Sequence, residues 1–191
     1  MKILLVGGGG REDALAWKIA KSSRVEQFWA APGNPGIARH ATCVDLGTGD
    51  LDGLVAFADR ERVDLTVVGP EAPLVAGLAD RLTARGLTVF GPERLAAAIE
   101  GSKGFAKSLM ARHGIPTARF QIFTDGTAAR RVCRELGAPV VVKADGLAAG
   151  KGVIVCDTIA AADDAIAELM DRHAFGAAGA TVVVEEFMAG E

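Results

Sequence analysis

The sequence contains no tyrosine, and only 5% of its 191 residues are aromatic. A platform that stacks successive nucleic-acid bases on aromatic rings is therefore not expected. It also lacks an excess of basic charge. Lys and Arg number 21 against 24 Asp and Glu, a formal net charge of −3 with His neutral. No global positive field is available to hold a nucleic-acid backbone. Cysteine is scarce: Cys43, Cys133 and Cys156 are odd in number and far apart. That spacing supports neither a disulfide framework nor a zinc site, and fits small buried hydrophobes in a reducing compartment. Nor is there a long apolar run. Ile3 to Val6 gives way at once to glycine, too short for a signal-peptide core, and no stretch approaches the ~20 residues that span a bilayer. These absences predict a cytoplasmic chain without nucleic-acid or membrane partners, in which any anion is caught locally by backbone N–H groups and a few placed cations.

Glycine, by contrast, is abundant, at 24 residues, and half of the chain is hydrophobic. That balance excludes disorder and predicts packed cores. Short β-rich runs alternate with helical periodicity, the pattern of parallel βαβ units. Strands are predicted at Ile3–Val6, Val25–Ala31, Asp64–Val68 and Leu87–Phe90, with helices near Glu12–Lys21, Leu51–Arg62 and Leu74–Arg85. A helical segment from about Arg94 to His113 is interrupted near Gly101 and stopped by Gly114 and Pro116. Beyond it the order becomes strand (Arg119–Phe123), helix (Thr127–Leu136), strand (Pro139–Ala144), strand (Val153–Cys156), helix (Thr158 to about His173) and strand (Ala180–Glu185). The expected architecture is α/β: a Rossmann-like parallel-sheet domain over residues 1–100, a helical linker over 101–118, and a small α+β subdomain over 119–191.

Gly7-Gly8-Gly9-Gly10-Arg11-Glu12 joins the first strand to the first helix. Glycines let a backbone approach an anion closely, the helix N-terminus favours negative charge, and Arg11 can add a bidentate contact. A plain tight turn is the alternative. A dinucleotide fingerprint fails, because Glu12 and Asp13 stand where its last glycine belongs and the second strand ends in Ala-Pro-Gly instead of an acidic residue. A dinucleotide-dependent oxidoreductase is disfavoured accordingly. Gly146-Leu147-Ala148-Ala149-Gly150-Lys151-Gly152 has three residues between its first two glycines where a P-loop has four, and Gly152 follows Lys151 where Ser or Thr is required. What remains is a glycine-rich hairpin carrying Lys151, with Lys143 on the preceding strand: a lid suited to a polyphosphate, or a solvated turn. Pro32 to Gly36 and Gly69 to Leu74 lie at strand ends, the ligand rim of an open α/β sheet. His40, His113 and His173 show no metal-ligand spacing, and no nucleophile–base pair is evident.

Six motifs in register carry a resemblance. They are Gly9-Gly10-Arg11-Glu12, Pro32-Gly33-Asn34-Pro35-Gly36, Gly69 to Leu74, Glu100-Gly101-Ser102-Lys103, Lys143 to Val153, and Glu185-Glu186-Phe187. Together they resemble the phosphoribosylamine–glycine ligases (glycinamide ribonucleotide synthetases), ATP-grasp enzymes of purine synthesis, along the whole chain. The resemblance implies ATP-dependent ligation of glycine to 5-phosphoribosylamine through a glycyl phosphate, by positioning and charge neutralisation. It implies that Gly9, Gly10, Arg11, Glu12, Asn34, Gly36 and Glu71 bind phosphoribosylamine. Lys103 and Lys143 would meet ATP phosphates, and Gly146, Gly150, Lys151 and Gly152 would belong to the lid. Glu185 and the backbone near Phe187 would meet the adenine edge, with Glu186 among the ATP-binding residues. No catalytic residue is separable from these. The Mg²⁺ (or Mn²⁺) ligands are expected in a C-terminal region that this chain does not include, so the chain is expected to be an N-terminal portion with little ligase activity alone. A binding module without catalysis is the alternative.

Overall fold

A computed structural model of the chain describes residues 1–148, 151–172 and 174–190. They divide into two compact units, Met1–Ala97 and Ala98–Glu191.

The first unit is built on a five-stranded parallel sheet. Strands β1 (Lys2–Gly7), β2 (Gln27–Pro32), β3 (Thr42–Cys43), β4 (Leu65–Val68) and β5 (Val89–Phe90) lie in the order β3-β2-β1-β4-β5. Every neighbouring pair runs parallel. The unbroken apolar run of β1 follows from burial on both faces. Leu4 and Val6 pack with α2 (Leu51–Arg60) and α4 (Leu78–Ala84), while Ile3 and Leu5 pack with Ala16 of α1 (Gly10–Ile19) and with Ile37. Because the chain winds from β1 to one side and then returns to the other, the order reverses between β1 and β4. Ligands of open α/β sheets bind in the crevice outside the strand ends at that switch point.

The helix expected over Leu74–Arg85 is two helices, α3 (Glu71–Val75) and α4, separated by Gly77. Gly77 has φ +93°, a left-handed conformation that glycine adopts without steric cost and that no α-helix continues through. The short edge strand β3 was not expected either; two residues carry too little periodicity to announce it.

Helix α5 (Arg94–Gly101) spans the division between the units, and α6 (Lys103–Arg112) follows it. The second unit is a four-stranded antiparallel sheet, β6 (Phe120–Phe123), β9 (Val182–Glu186), β7 (Val140–Ala144) and β8 (Val153–Cys156), in the order β6-β9-β7-β8. Helices α7 (Gly126–Leu136) and α8 (Ile159–Ile166) cover one face over Val140, Val142, Cys156, Val182 and Val184. Asp125 and Thr158 cap these helices, each accepting a backbone N–H. The helix expected to run on to His173 leaves α geometry after Ile166 and continues as a π-helical turn, Ala167–Asp171; His173 lies outside the described residues. The opposite sheet face is open at β8, with Val153 46% and Val155 51% exposed. Alternation along a strand therefore decides which side chains reach this open face.

Leu54 and Ile166 are buried in separate cores. Leu54→Ala and Ile166→Ala should each cost about 2–5 kcal/mol in urea unfolding, with hydrogen exchange accelerated in the unit that carries the change. Burial, with the nearby Cys156 adding to it, pushes the Cys133 thiol up to about 11, and burial likewise raises Cys156. Cys43 is exposed. At about pH 8, iodoacetamide should modify Cys43 in the folded chain and the other two only after unfolding, as mass spectrometry of timed samples would show.

Candidate functional site

In the first unit the loops after β1, β2 and β4 meet at the switch point. Gly7 leaves β1 with φ +133°, and a Cβ there would strike Glu12 Cγ at 2.5 Å. A Cβ at Gly69 would also collide with the Glu12 carboxylate. Two close approaches thus enclose Glu12, which is 4% exposed. Its Oε2 accepts the Gly9 N–H at 2.7 Å, satisfying an otherwise free donor at the start of α1 as an N3 glutamate does in a capping box. Glu12 is turned inward as a brace, while Arg11 beside it is exposed and donates to the Gly69 carbonyl at 3.3 Å.

Asn34 ties the second loop to the first. Its amide donates to the Gly8 carbonyl (2.9 Å) and, more loosely, to that of Gly9 (3.4 Å). Its Oδ1 accepts from the Gly36 and Ile37 N–H groups at 2.8 and 2.9 Å. Gly36 lies against Asp13, whose carboxylate a Cβ would meet at 2.6 Å. Gly9, Gly10, Arg11, Glu12, Asn34 and Gly36 are therefore assembled at one rim, with Glu71 heading α3 beyond Pro70. A cavity of about 320 Å³ lined by Gly10, Asp13, Ala14, Trp17, Arg39 and His40 adjoins it. A cleft of about 560 Å³ lies by β2, away from the glycine loop.

In the second unit, β9 pairs with β7 so that Val141 faces Glu185 and Lys143 faces Val183. Lys143 and Glu185 consequently share the open face. Glu185 is 3% exposed and has two cations: Lys107 Nζ from α6 at 2.7 Å from Oε2, and Lys143 Nζ at 2.9 Å from Oε1. The Lys143 contact lacks hydrogen-bond geometry, so Oε1 has no hydrogen-bond partner. Lys103 donates to the Gly146 carbonyl at 3.0 Å. Burial lowers its pKa; Asp145 opposes this shift, and the charge of Lys143 adds to it. Asp145 anchors the start of α6, accepting from Ser102 Oγ and the Gly104 N–H.

Glu186, one residue along β9, is directed elsewhere. It accepts the Arg119 N–H at 2.8 Å and Arg119 Nε at 2.6 Å. The backbone bond, followed by the side-chain bond, holds its carboxyl below the usual range. Phe187 is 43% exposed. In the glycine-rich hairpin, a Cβ at Gly146 would meet Ala178 and one at Gly152 would meet Ala148. Lys151 is exposed, and its N–H bonds the Ala148 carbonyl. Gly150 lies outside the described residues. Lys107 escaped the sequence reading; its spacing of four from Lys103 on a helix was the available signal. Among the described residues no three His, Cys, Asp or Glu side chains group as metal ligands, and no helix is long and apolar enough to cross a membrane.

Residues 1–100 match the family model for the phosphoribosylglycinamide synthetase N domain, and residues 101–191 that for the ATP-grasp (A) domain of the same synthetase. The chain is 59% identical over 193 residues to a phosphoribosylamine–glycine ligase of Xanthomonas campestris pv. campestris. It is 57% identical over 191 residues to one of Brucella melitensis biotype 1. All of this chain aligns, with 45% and 44% of those relatives, so it spans about half the length of the curated relatives it matches. A solved phosphoribosylamine–glycine ligase of Thermotoga maritima superposes with TM-score 0.81 at 30% identity, covering 100% of this chain and 45% of that one. The biotin carboxylase domain of a Hydrogenobacter thermophilus 2-oxoglutarate carboxylase shares the fold, with TM-score 0.78 at 20% identity over 98% of this chain and 44% of that one.

Glu12→Ala leaves the Gly9 N–H without its acceptor and should cost about 1–3 kcal/mol of stability. Arg11→Ala at the exposed rim should stay within about 0.5 kcal/mol of the parent. Urea denaturation of both variants reads the difference.

Proposed function

Since the chain belongs to the phosphoribosylglycinamide synthetase family, we propose that it carries the sugar-phosphate site and the nucleotide-holding subdomain of a ligase joining glycine to 5-phosphoribosylamine at the expense of ATP. In that reaction the γ-phosphoryl group passes to the glycine carboxylate and ADP is released. The amine of phosphoribosylamine then attacks the acyl phosphate, forming the amide and expelling phosphate. The work is positioning and neutralisation of charge, which loops and cations supply without a nucleophile.

Residues 1–100 form the substrate domain in this reading, 101–118 the linker, and 119–191 the small ATP-grasp subdomain. The N–H groups of Gly9 and Gly10, the Arg11 guanidinium, Asn34, Gly36 and Glu71 receive phosphoribosylamine, over the inward brace of Glu12. Lys103, Lys143 and Lys151 hold the ATP phosphates under the loop carrying Gly146, Gly150 and Gly152. Glu185 and the backbone at Glu186 and Phe187 take the adenine edge, the Glu186 carboxylate remaining with Arg119. Among the described residues no three His, Cys, Asp or Glu side chains group to hold Mg²⁺. A role in purine synthesis supports a cytoplasmic location.

The observation that carries the nucleotide part is the gathering of Lys103, Lys107 and Lys143 around Glu185 and Asp145. Lys107 and Lys143 both meet Glu185, and Lys103 lies in the field of Asp145, Lys143 and, more weakly, Glu100, so three ammonium groups are gathered where an anionic ligand can be met. Calorimetry tests both parts. ATP should bind, and Lys143→Met should weaken it about ten- to a hundred-fold, the worth of a hydrogen bond to a charged group. A stable ribose 5-phosphate analogue should bind separately and lose comparable affinity in Arg11→Ala, with ATP unaffected. Failure of the parent chain to bind either ligand refutes the reading. Binding of both ligands without glycine-dependent ADP release is the outcome expected of this chain alone.

A further inference from the structure

The two lysines on Glu185 are not held alike. The Lys107 ammonium is fixed three ways: 2.7 Å from Glu185 Oε2, donating to Thr117 Oγ1 at 2.8 Å, and 5.6 Å from the centre of the Phe120 ring. Its side chain is 12% exposed. The Lys143 side chain is 23% exposed, and among the described residues its ammonium has Glu185 Oε1 as its only partner. A buried carboxylate stripped of all its cations is strongly disfavoured. Lys143 can therefore turn to another anion only if Glu185 retains a second partner.

We propose that Lys107 is a positioning residue, the resident counter-ion of Glu185, and that its presence is what releases Lys143 to an incoming polyphosphate. The proposal rests on the nucleotide reading above and adds a division of labour to it. Before the anion arrives, Glu185 holds both cations. When Lys143 leaves for a phosphate oxygen, the Lys107–Glu185 pair persists as a balanced unit, still braced by Thr117 and Phe120. Without Lys107, the carboxylate would keep Lys143 for itself. The loss would fall on phosphate binding, although Lys107 need not touch a phosphate.

Inorganic tripolyphosphate, which has no adenine edge, is the probe. Lys107→Met should weaken its binding by about ten-fold or more, and adding Glu185→Gln should restore most of that loss by removing the group that traps Lys143. Lys143→Met should weaken binding similarly but gain no such rescue from Glu185→Gln. The two double variants carry the same net charge, so equal rescue of both would reduce the effect to bulk electrostatics, and rescue of neither would show that Glu185 does not trap Lys143; either result overturns the proposal. Lys107→Arg, which keeps a cation at Glu185, should bind nearly as the parent does. Side-chain ammonium NMR of the parent chain decides the matter independently of variant folding. The Lys107 ammonium should exchange protons slowly and the Lys143 ammonium quickly, and tripolyphosphate should shift Lys143 first. The reverse order of protection would overturn the proposal even if no polyphosphate binds, an outcome that would by itself refute only the nucleotide reading.

Discussion

A carboxylate withdrawn from water must be met by donors or cations, or its burial costs several kcal/mol. Both units are organised around that requirement. Among the described residues three polar or charged ones are buried; two are the carboxylates Glu12 and Glu185, and each stands under a candidate binding surface. Glu12 is met by a backbone N–H and the first turn of α1, where negative charge is favourable. The glycines at 7 and 69 leave it room. Glu185 is met by two ammonium groups delivered from a helix and a neighbouring strand. In the first case the carboxylate shapes the loop; in the second it gathers cations that a ligand can then draw upon.

Much of this was legible in the residues. The apolar run at Ile3–Val6 announced a strand covered on both faces, and glycines at strand ends marked the rim where the loops meet. The alternation of helix and strand distinguished the parallel unit from the antiparallel one. What escaped were features decided by tertiary contact. Glu12 sits in a glycine-rich loop that sequence assigns to a ligand, but whether its carboxylate turns outward or inward depends on space left by Gly69, which is distant along the chain. Glu185 and Glu186 are chemically identical neighbours, and only the pairing of β9 with β6 and β7 assigns one to the lysines and the other to Arg119. Lys107 reads as an ordinary helical lysine until Thr117 and Phe120 are placed around it.

The comparisons separate what the fold can say from what the loops say. A carboxylase domain at 20% identity has nearly the same backbone over this span, so the architecture alone does not choose a substrate. In the reading proposed above, the choice lies in the short segments at the strand ends, in Arg11, Asn34 and Gly36.

Strand β9 reads Val182-Val183-Val184-Glu185-Glu186, and its three valines are fully buried on both faces. Hydrophobic pattern therefore gives this strand no information about its own alignment, because any valine fits any of the three places. A slip of one residue in one direction would put Glu185 at the place of Val184, in the core beneath α7 and α8, and Glu186 among the lysines; a slip in the other direction would put Val184 among the lysines and Glu185 at the place of Glu186. The step from Val184 to Glu185 therefore separates the right alignment from its neighbours where the valines cannot, and the lysines around Glu185 hold the central strand in register as well as meeting a buried charge.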